Sequence, residues 1–184
     1  MAQKGITKEI IVRGATALIE EMGYGNFTLH ELATRLGIKP SSLYNHMKNM
    51  DDLKQAISVC AVEKLTASIQ EATSKTEGKE TLVATAVAIR SFAKNNSELY
   101  KAIFFTGGGQ RALDLYSLVQ KPLENFSLTK DESIHFCRAF SAAVFGFIML
   151  DGKGYLSSNV DKDASFIAMV ALLLSSLQVT KKVS

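Results

Sequence analysis

The sequence of 184 residues has no tryptophan, two prolines and two cysteines. Cys60 and Cys137 stand far apart and form no Cys-x-x-Cys pair, which argues against a disulfide scaffold or a zinc finger and fits a reducing compartment. Because prolines are so few, little interrupts the chain, and long helices are expected. A continuous apolar run of about 20 residues, which a membrane-spanning helix requires, is also missing.

Two shorter apolar runs cover residues 139–150 and 166–177, and both are predicted to be buried helices rather than membrane spans. The N-terminal residues mix Lys4, Lys8 and Arg13 with apolar side chains and lack the apolar stretch of a signal peptide. The sequence therefore predicts a soluble cytoplasmic protein that does not bind a membrane.

Apolar residues recur with helical spacing along the chain, whereas no alternating strand pattern and no internal repeat is found. This pattern predicts an all-α fold of about nine helices. They are expected near residues 11–22, 29–36, 40–47, 50–73, 82–95, 97–105, 110–126, 130–152 and 161–179. Thr28 with Glu31 and Thr129 with Glu132 have the spacing of capping boxes, so they mark the starts of the second and eighth helices.

Residues 28–48 have the pattern of a helix-turn-helix: two short amphipathic segments meet at Gly37. Its polar face would present Ser41, Ser42 and Asn45 to base edges. Between Glu31 and Asp51 the charged residues are all basic, and Tyr44 and His46 can donate to phosphates beside them. Those basic residues are Arg35, Lys39 and Lys48. An ordinary helical hairpin explains the apolar positions equally well but does not explain a polar face without acids.

Residues 5–57 resemble the DNA-binding domain of the tetracycline-repressor (TetR) family of transcriptional regulators. The resemblance rests on residues 11–23, on Phe27-Thr28-Leu29-His30-Glu31-Leu32-Ala33, and on the segment from Leu36 to Asn49 with its Leu-Gly-Ile turn and Leu-Tyr-x-His core. It implies that Thr28, Tyr44, His46 and Lys48 contact phosphates and that Lys39, Ser41, Ser42 and Asn45 face bases in the major groove. Met47 stands where the family usually has phenylalanine, and Met50 where a phosphate-contacting lysine is common.

The rest of the chain resembles the sensor half of the same family. Residues 92–104 are similar to a segment of one C-terminal subtype, named after a Trp-His-Gly motif, of which only Gly146 is present here. The similarity implies a ligand pocket among the fifth to eighth helices and a homodimer formed through the last two. The candidate pocket residues are Phe92, Tyr100, Phe104, Tyr116, Phe140, Phe145 and Met149, an aromatic and flexible set that suits a small, largely apolar effector. Most of these side chains are expected to belong simply to the hydrophobic core.

Two domains are therefore expected: a helix-turn-helix DNA-binding domain at residues 1–50, and a helical ligand-sensing and dimerisation domain at residues 51–184. The predicted function is that of a dimeric regulator, a repressor that a small effector releases from a palindromic operator in double-stranded DNA. His30, His46 and His135 lie on separate elements without metal-ligand spacing, and the sequence predicts no metal, no cofactor and no enzymatic activity. The alternative is a helical interaction protein whose helix-turn-helix docks another protein.

Overall fold

The computed structural model describes residues 5–105 and 117–177, with the side chain of residue 105 left out. In these ranges the chain forms nine helical segments, which confirms the all-α prediction. The segments are α1 (Lys8–Met22), α2 (Leu29–Leu36), α3 (Pro40–Leu43), α4 (Met50–Thr73), α5 (Gly78–Asn95), α6 (Ser97–Phe105), α7 (117–123), α8 (Lys130–Gly152) and α9 (Lys162–Ser175). The first part of the predicted seventh helix, residues 110–116, lies outside the described ranges.

Side chains cap the helices where the sequence predicts it. The Thr28 hydroxyl accepts from the Glu31 N–H at 3.2 Å, and the Glu31 carboxylate accepts from the Thr28 N–H at 2.7 Å. Thr129 and Glu132 form the same reciprocal pair at the start of α8. Each box satisfies two N–H groups that have no partner inside the helix. Both predicted capping boxes are confirmed.

The described residues pack into two compact units. The first comprises residues 5–64 and 94–105, and the second comprises residues 65–93 and 117–177. Helices α4 and α5 each contribute residues to both units. These units are defined by packing, and the functional boundary expected at residue 50 stays a prediction.

The first unit is built around α1. Fully buried aliphatic side chains from four helices form its core: Ile11, Ile19, Leu32, Leu43, Leu53 and Ile57. Burying one such side chain stabilises a fold by about 1.5–3 kcal/mol. Gly14 allows α1 and α2 to approach closely, because a Cβ atom there would lie 2.8 Å from Cδ2 of Leu36.

Two carboxylates attach the start of α6 to the end of α1 within the first unit. Glu20 accepts a hydrogen bond from the N–H of Leu99 at 2.9 Å. In the opposite direction, Glu98 accepts from the N–H of Tyr24 at 2.8 Å. Carboxylates that accept backbone N–H bonds near a helix start also interact favourably with the helix dipole.

The buried side chain of Arg90 connects three helices of the second unit. Its guanidinium lies 5.0 Å from the ring centre of Phe147 and 4.7 Å from that of Phe166. It also forms ion pairs with Asp151 at 3.2 Å and Asp163 at 2.8 Å. Arg90 therefore joins α5 to the end of α8 and the start of α9.

The apolar surface of the second unit is incompletely covered within one chain. Among the described helices, α8 is long and apolar enough to cross a bilayer, judged by length and composition alone. Large exposed apolar side chains on α8 and α9 are Met149, Leu150, Ile167 and Leu172. These helices are therefore buried on one side only in the single chain.

Candidate nucleic-acid interface

Helices α2 and α3 are joined by a tight turn centred on Gly37. This glycine adopts the left-handed conformation with φ of 65°, which side chains with a Cβ atom rarely adopt. The N–H groups of Gly37 and Ile38 donate back to the carbonyls of Thr34 and Ala33, which ends α2. The helix-turn-helix and the role of Gly37 are as predicted.

Helix α3, the second helix of the helix-turn-helix, is shorter than expected. The sequence predicts a helix over residues 40–47, whereas α3 ends at Leu43 and a turn follows at residues 44–46. The N–H groups of His46 and Met47 both donate to the Leu43 carbonyl at 2.9 Å, which tightens the backbone after one helical turn. Leu43 and Met47 are buried and fix this segment to the core of the first unit.

The predicted DNA-contacting side chains lie on the outside of this segment and at the start of α2. Lys39, Ser41, Tyr44, Asn45 and Lys48 are exposed, Ser42 and His46 are half-buried, and Thr28 is exposed at the N-cap of α2. Tyr44 is 57% exposed although it is aromatic and lies in the chain between the buried residues Leu43 and Met47. A large ring held outside the core in this way is available to a partner.

The basic patch expected from the sequence loses one of its members in the structure. Arg35 binds Glu21 through two parallel hydrogen bonds of 2.6 Å each. This contact raises the pKa of Arg35 and lowers the pKa of Glu21. Residues 32–50 contain no acid, but in the folded chain the carboxylate of Glu21 on α1 lies beside Arg35 on α2. Lys39 and Lys48 form no ion pair among the described residues.

Local polar contacts also fix the ends of the segment. The Thr28 hydroxyl donates to Glu31 at 2.8 Å, so its proton is engaged in the capping box. The Asn49 side chain accepts from the N–H of Asp52 at 2.9 Å, and Asp52 in turn accepts from the N–H of Lys48. These two bonds cap α4 and hold the backbone of Lys48 in place.

An acid from α1 lies near the half-buried imidazole of the segment. A hydrogen bond from Thr7 is the main cause of the lowered pKa of Glu9, and the charge of His46 contributes to the same shift. The sequence places 36 residues between Glu9 and His46 and therefore does not indicate that they interact.

The residues predicted to bind an effector are distributed over both units. In the second unit Phe92 and Phe140 are buried, Phe145 is half-buried and Met149 is 65% exposed. In the first unit Tyr100 is buried, with a pKa raised by burial, and its ring meets the half-exposed ring of Phe104 edge to face at 5.3 Å. Tyr116 lies outside the described residues. The two grooves found among the described residues are lined by none of these side chains, and the effector site stays a prediction.

The comparison with known families agrees with this geometry. The sequence model for bacterial regulatory proteins of the tetR family matches residues 11–57. A second model, for the tetracyclin repressor-like C-terminal domain, matches residues 82–173, which is half of the chain. The chain belongs to the TetR family. It is therefore a helix-turn-helix transcriptional regulator of a non-enzymatic family, as the resemblance implies.

Individual relatives and solved structures match nearly the whole chain. The uncharacterized HTH-type transcriptional regulator Rv0681 of Mycobacterium tuberculosis is 26% identical over 94% of this chain and 82% of its own length. A structure from Rhodococcus sp. RHA1 superimposes with a TM-score of 0.80 at 17% identity, covering 96% of this chain and 97% of that one. A TetR variant from Acinetobacter baumannii in complex with minocycline gives 0.72 at 18% identity, covering 92% and 96%. At such identities the two structures support the fold alone.

Proposed function

We propose that residues 39–48 enter the major groove of an operator and that the chain regulates transcription there as a cytoplasmic repressor. The single observation that supports this best is the alternation within the segment. Leu43 and Met47 are buried, whereas Lys39, Ser41, Tyr44, Asn45 and Lys48 are exposed. The segment is thus fixed to a rigid core while it presents cations and short polar groups, which suits phosphate and base-edge contacts.

In this proposal the contacts divide as the family resemblance implies. Thr28, Tyr44, His46 and Lys48 contact phosphates, while Lys39, Ser41, Ser42 and Asn45 face bases. In the free chain the Thr28 hydroxyl donates to Glu31, so contact with a phosphate requires that this hydroxyl turn its proton from Glu31 to the phosphate. Arg35 is not included, since its guanidinium is already bound to Glu21.

A homodimer forms through α8 and α9 in this proposal. These helices expose Met149, Leu150, Ile167 and Leu172, and a second copy of the chain covers such a face with identical partners. A two-fold dimer places its two copies of residues 39–48 about 34–36 Å apart, which favours a palindromic operator.

The repressor is released by a small, largely apolar effector. The sequence model of the C-terminal domain includes α6, yet α6 packs in the first unit against α1. One helix of the sensor-type sequence is therefore bonded directly to the helix-turn-helix unit through Glu20 and Glu98. An effector that moves α6 would act on the DNA-binding residues through these bonds. The minocycline complex of the Acinetobacter protein makes tetracyclines a reasonable first set of compounds to screen.

The experiment is a DNA-binding titration of the full chain with the DNA upstream of its own gene, monitored by fluorescence anisotropy. We expect affinity that falls steeply with salt, because bound lysines release counterions from the phosphates. Lys48→Gln should weaken binding to every sequence and reduce the salt slope by about one. Lys75→Gln, at an exposed lysine outside the segment, is the matched control and should change neither.

Base contacts are tested with Asn45→Ala on operator and scrambled DNA. A residue that reads bases should lose about 1–3 kcal/mol on the operator and nothing on scrambled DNA. Affinity that does not depend on salt, or equal binding by the Lys48→Gln variant, would contradict the proposal and favour a protein-docking helix-turn-helix instead.

A further inference from the structure

A groove runs between α1 and α4 on the first unit, and none of the residues that line it is among those predicted to bind an effector. Its volume is about 530 Å³, which is within the range of small-molecule sites. Val12, Thr16 and Ala56 form a buried floor, and the half-exposed Val59 and Cys60 extend it. The rim carries six charged residues, namely Lys8, Arg13, Lys64, Glu9, Asp52 and Glu63.

The acids of the rim are engaged within the chain. Asp52 accepts from the N–H of Lys48 at 3.0 Å. A hydrogen bond from Thr7 lowers the pKa of Glu9. Glu63 also takes part in an interaction within the chain. Asp52 and Glu9 are therefore hydrogen-bonded within the chain, so some of their lone pairs are occupied before any ligand arrives.

The cations of the rim differ from the acids. Lys8, Arg13 and Lys64 are exposed, and none of them forms an ion pair in the part of the chain that the structure describes. An apolar floor beside Arg13 and Lys64, which form no ion pair among the described residues, is complementary to a molecule that has an apolar body and an anionic head.

We propose that this groove binds a small anionic amphiphile, with its apolar chain on Val12, Ala56 and Val59 and its carboxylate or phosphate between Arg13 and Lys64. Such a ligand bridges α1 and α4, and α4 begins at Met50, just after residues 39–48. The proposal does not depend on DNA binding or on an effector in the second unit. The source of the anionic head, a carboxylate or a phosphate, is separated by the probes below.

Cys60 supplies a reporter inside the groove. It is half-exposed, whereas Cys137 is fully buried, so a thiol reagent in the folded protein should modify Cys60 first. The full chain is treated with N-ethylmaleimide without DNA, and modification is followed by intact mass spectrometry. The probes are dodecanoate, dodecyl phosphate and dodecyltrimethylammonium, each below its micelle-forming concentration. Cys60→Ser should abolish the fast reaction and so confirms which thiol is read.

At a concentration about ten times its dissociation constant, an anionic probe should slow labelling of Cys60 about tenfold. The cationic probe should give no protection at the same concentration. If dodecanoate protects and dodecyl phosphate does not, the head group is a carboxylate, and the reverse result assigns a phosphate.

Replacing Arg13 and Lys64 together by glutamine should lower the affinity for the anionic probe, by about two- to fivefold for each lost exposed ion pair. Replacing Lys75 and Lys153, two exposed lysines outside the groove, is the matched control and should leave protection unchanged. Calorimetry should give one probe per chain in the wild type, independently of thiol reactivity. Equal protection by the cationic probe, unchanged affinity in the Arg13/Lys64 variant, or no calorimetric binding would overturn the proposal.

Discussion

The carboxylate of Glu98 accepts a 2.8 Å hydrogen bond from the backbone N–H of Tyr24, across 74 positions of sequence. Glu20 repeats this arrangement in the opposite direction by accepting from Leu99. The start of α6 and the end of α1 thus each supply a carboxylate and an N–H group. Because both bonds end on the backbone, they fix the position of α6 and not merely the orientation of a side chain.

Glu98 should make the first unit sensitive to acid. Burial opposes its ionisation, but hydrogen bonds from the Lys101 side chain and the Tyr24 N–H outweigh burial and lower its pKa. A lowered pKa in the folded state means that its stabilisation is complete above the unfolded value, about 4.3, and is lost as pH falls through the folded value.

We therefore expect Glu98→Gln to destabilise the chain at pH 7 and to differ less from the wild type in acid. Urea unfolding at both pH values measures this. Glu124→Gln, at an exposed glutamate of the second unit, is the control. If the loss in the free energy of unfolding caused by Glu98→Gln is as large in acid as at pH 7, the ionised carboxylate of Glu98 does not stabilise the first unit.

Arg90→Met should destabilise the second unit by about 2–3 kcal/mol, since removing one member of a buried ion pair is costly while Asp151 keeps Lys162 as a partner. Arg138→Met makes the same change at an exposed position of α8 and should be nearly neutral. Thermal or urea unfolding of both variants measures the difference. Equal stability of the two variants would show that the Arg90 ion pairs contribute little.

Arg35→Gln should leave the salt dependence of DNA binding unchanged, because Glu21 already accepts hydrogen bonds from both terminal nitrogens of the Arg35 guanidinium. Lys48→Gln, tested in parallel, should reduce the slope by about one. The measurement is the anisotropy titration at several salt concentrations. If Arg35→Gln lowers the slope as much as Lys48→Gln does, Arg35 leaves Glu21 to bind DNA.

Thr28→Ala and Thr129→Ala remove the same capping hydroxyl from two helices with matching geometry. Each should lower stability by about 1 kcal/mol. If Thr28 also contacts a phosphate, only Thr28→Ala should weaken DNA binding at temperatures where both variants are folded. Equal DNA affinities would confine Thr28 to its capping role.

If the chain dimerises through α8 and α9 as proposed, Leu172→Glu should give a monomer, because a charge on a covered apolar face loses its hydration without gaining a partner. Leu172 is 74% exposed in the single chain, so the substitution should not disturb folding of the monomer. Val87→Glu, on the exposed side of α5, is the matched control and should stay dimeric. Light scattering after size exclusion gives the mass. A Leu172→Glu variant with unchanged mass would place the interface elsewhere.

Local signals in the sequence were enough to predict most of the elements. The all-α class, both capping boxes and the Gly37 turn are each determined by residues within about four positions of one another, which is the range of helical hydrogen bonding. The family was recognised from the same kind of signal, since the helix-turn-helix motif is continuous in the chain.

The length of α3 was not predicted correctly. The apolar spacing of Leu43 and Met47 fits a helix through residue 47, but it fits equally well a tight turn that returns Met47 to the core. Periodicity reports which residues are buried and does not distinguish between these two backbones.

What the sequence alone determined about this protein is its helices, their caps and turns, and its family, because these depend on neighbours along the chain. The tertiary structure decided which charges are available. It brings Glu21 to Arg35, Glu98 to Tyr24 and Asp151 to Arg90, pairs separated by 14, 74 and 61 positions. Electrostatic interactions depend on distance in space rather than along the chain. The folded structure is therefore needed to show which basic residues of a patch are already paired with acids and which can bind a partner.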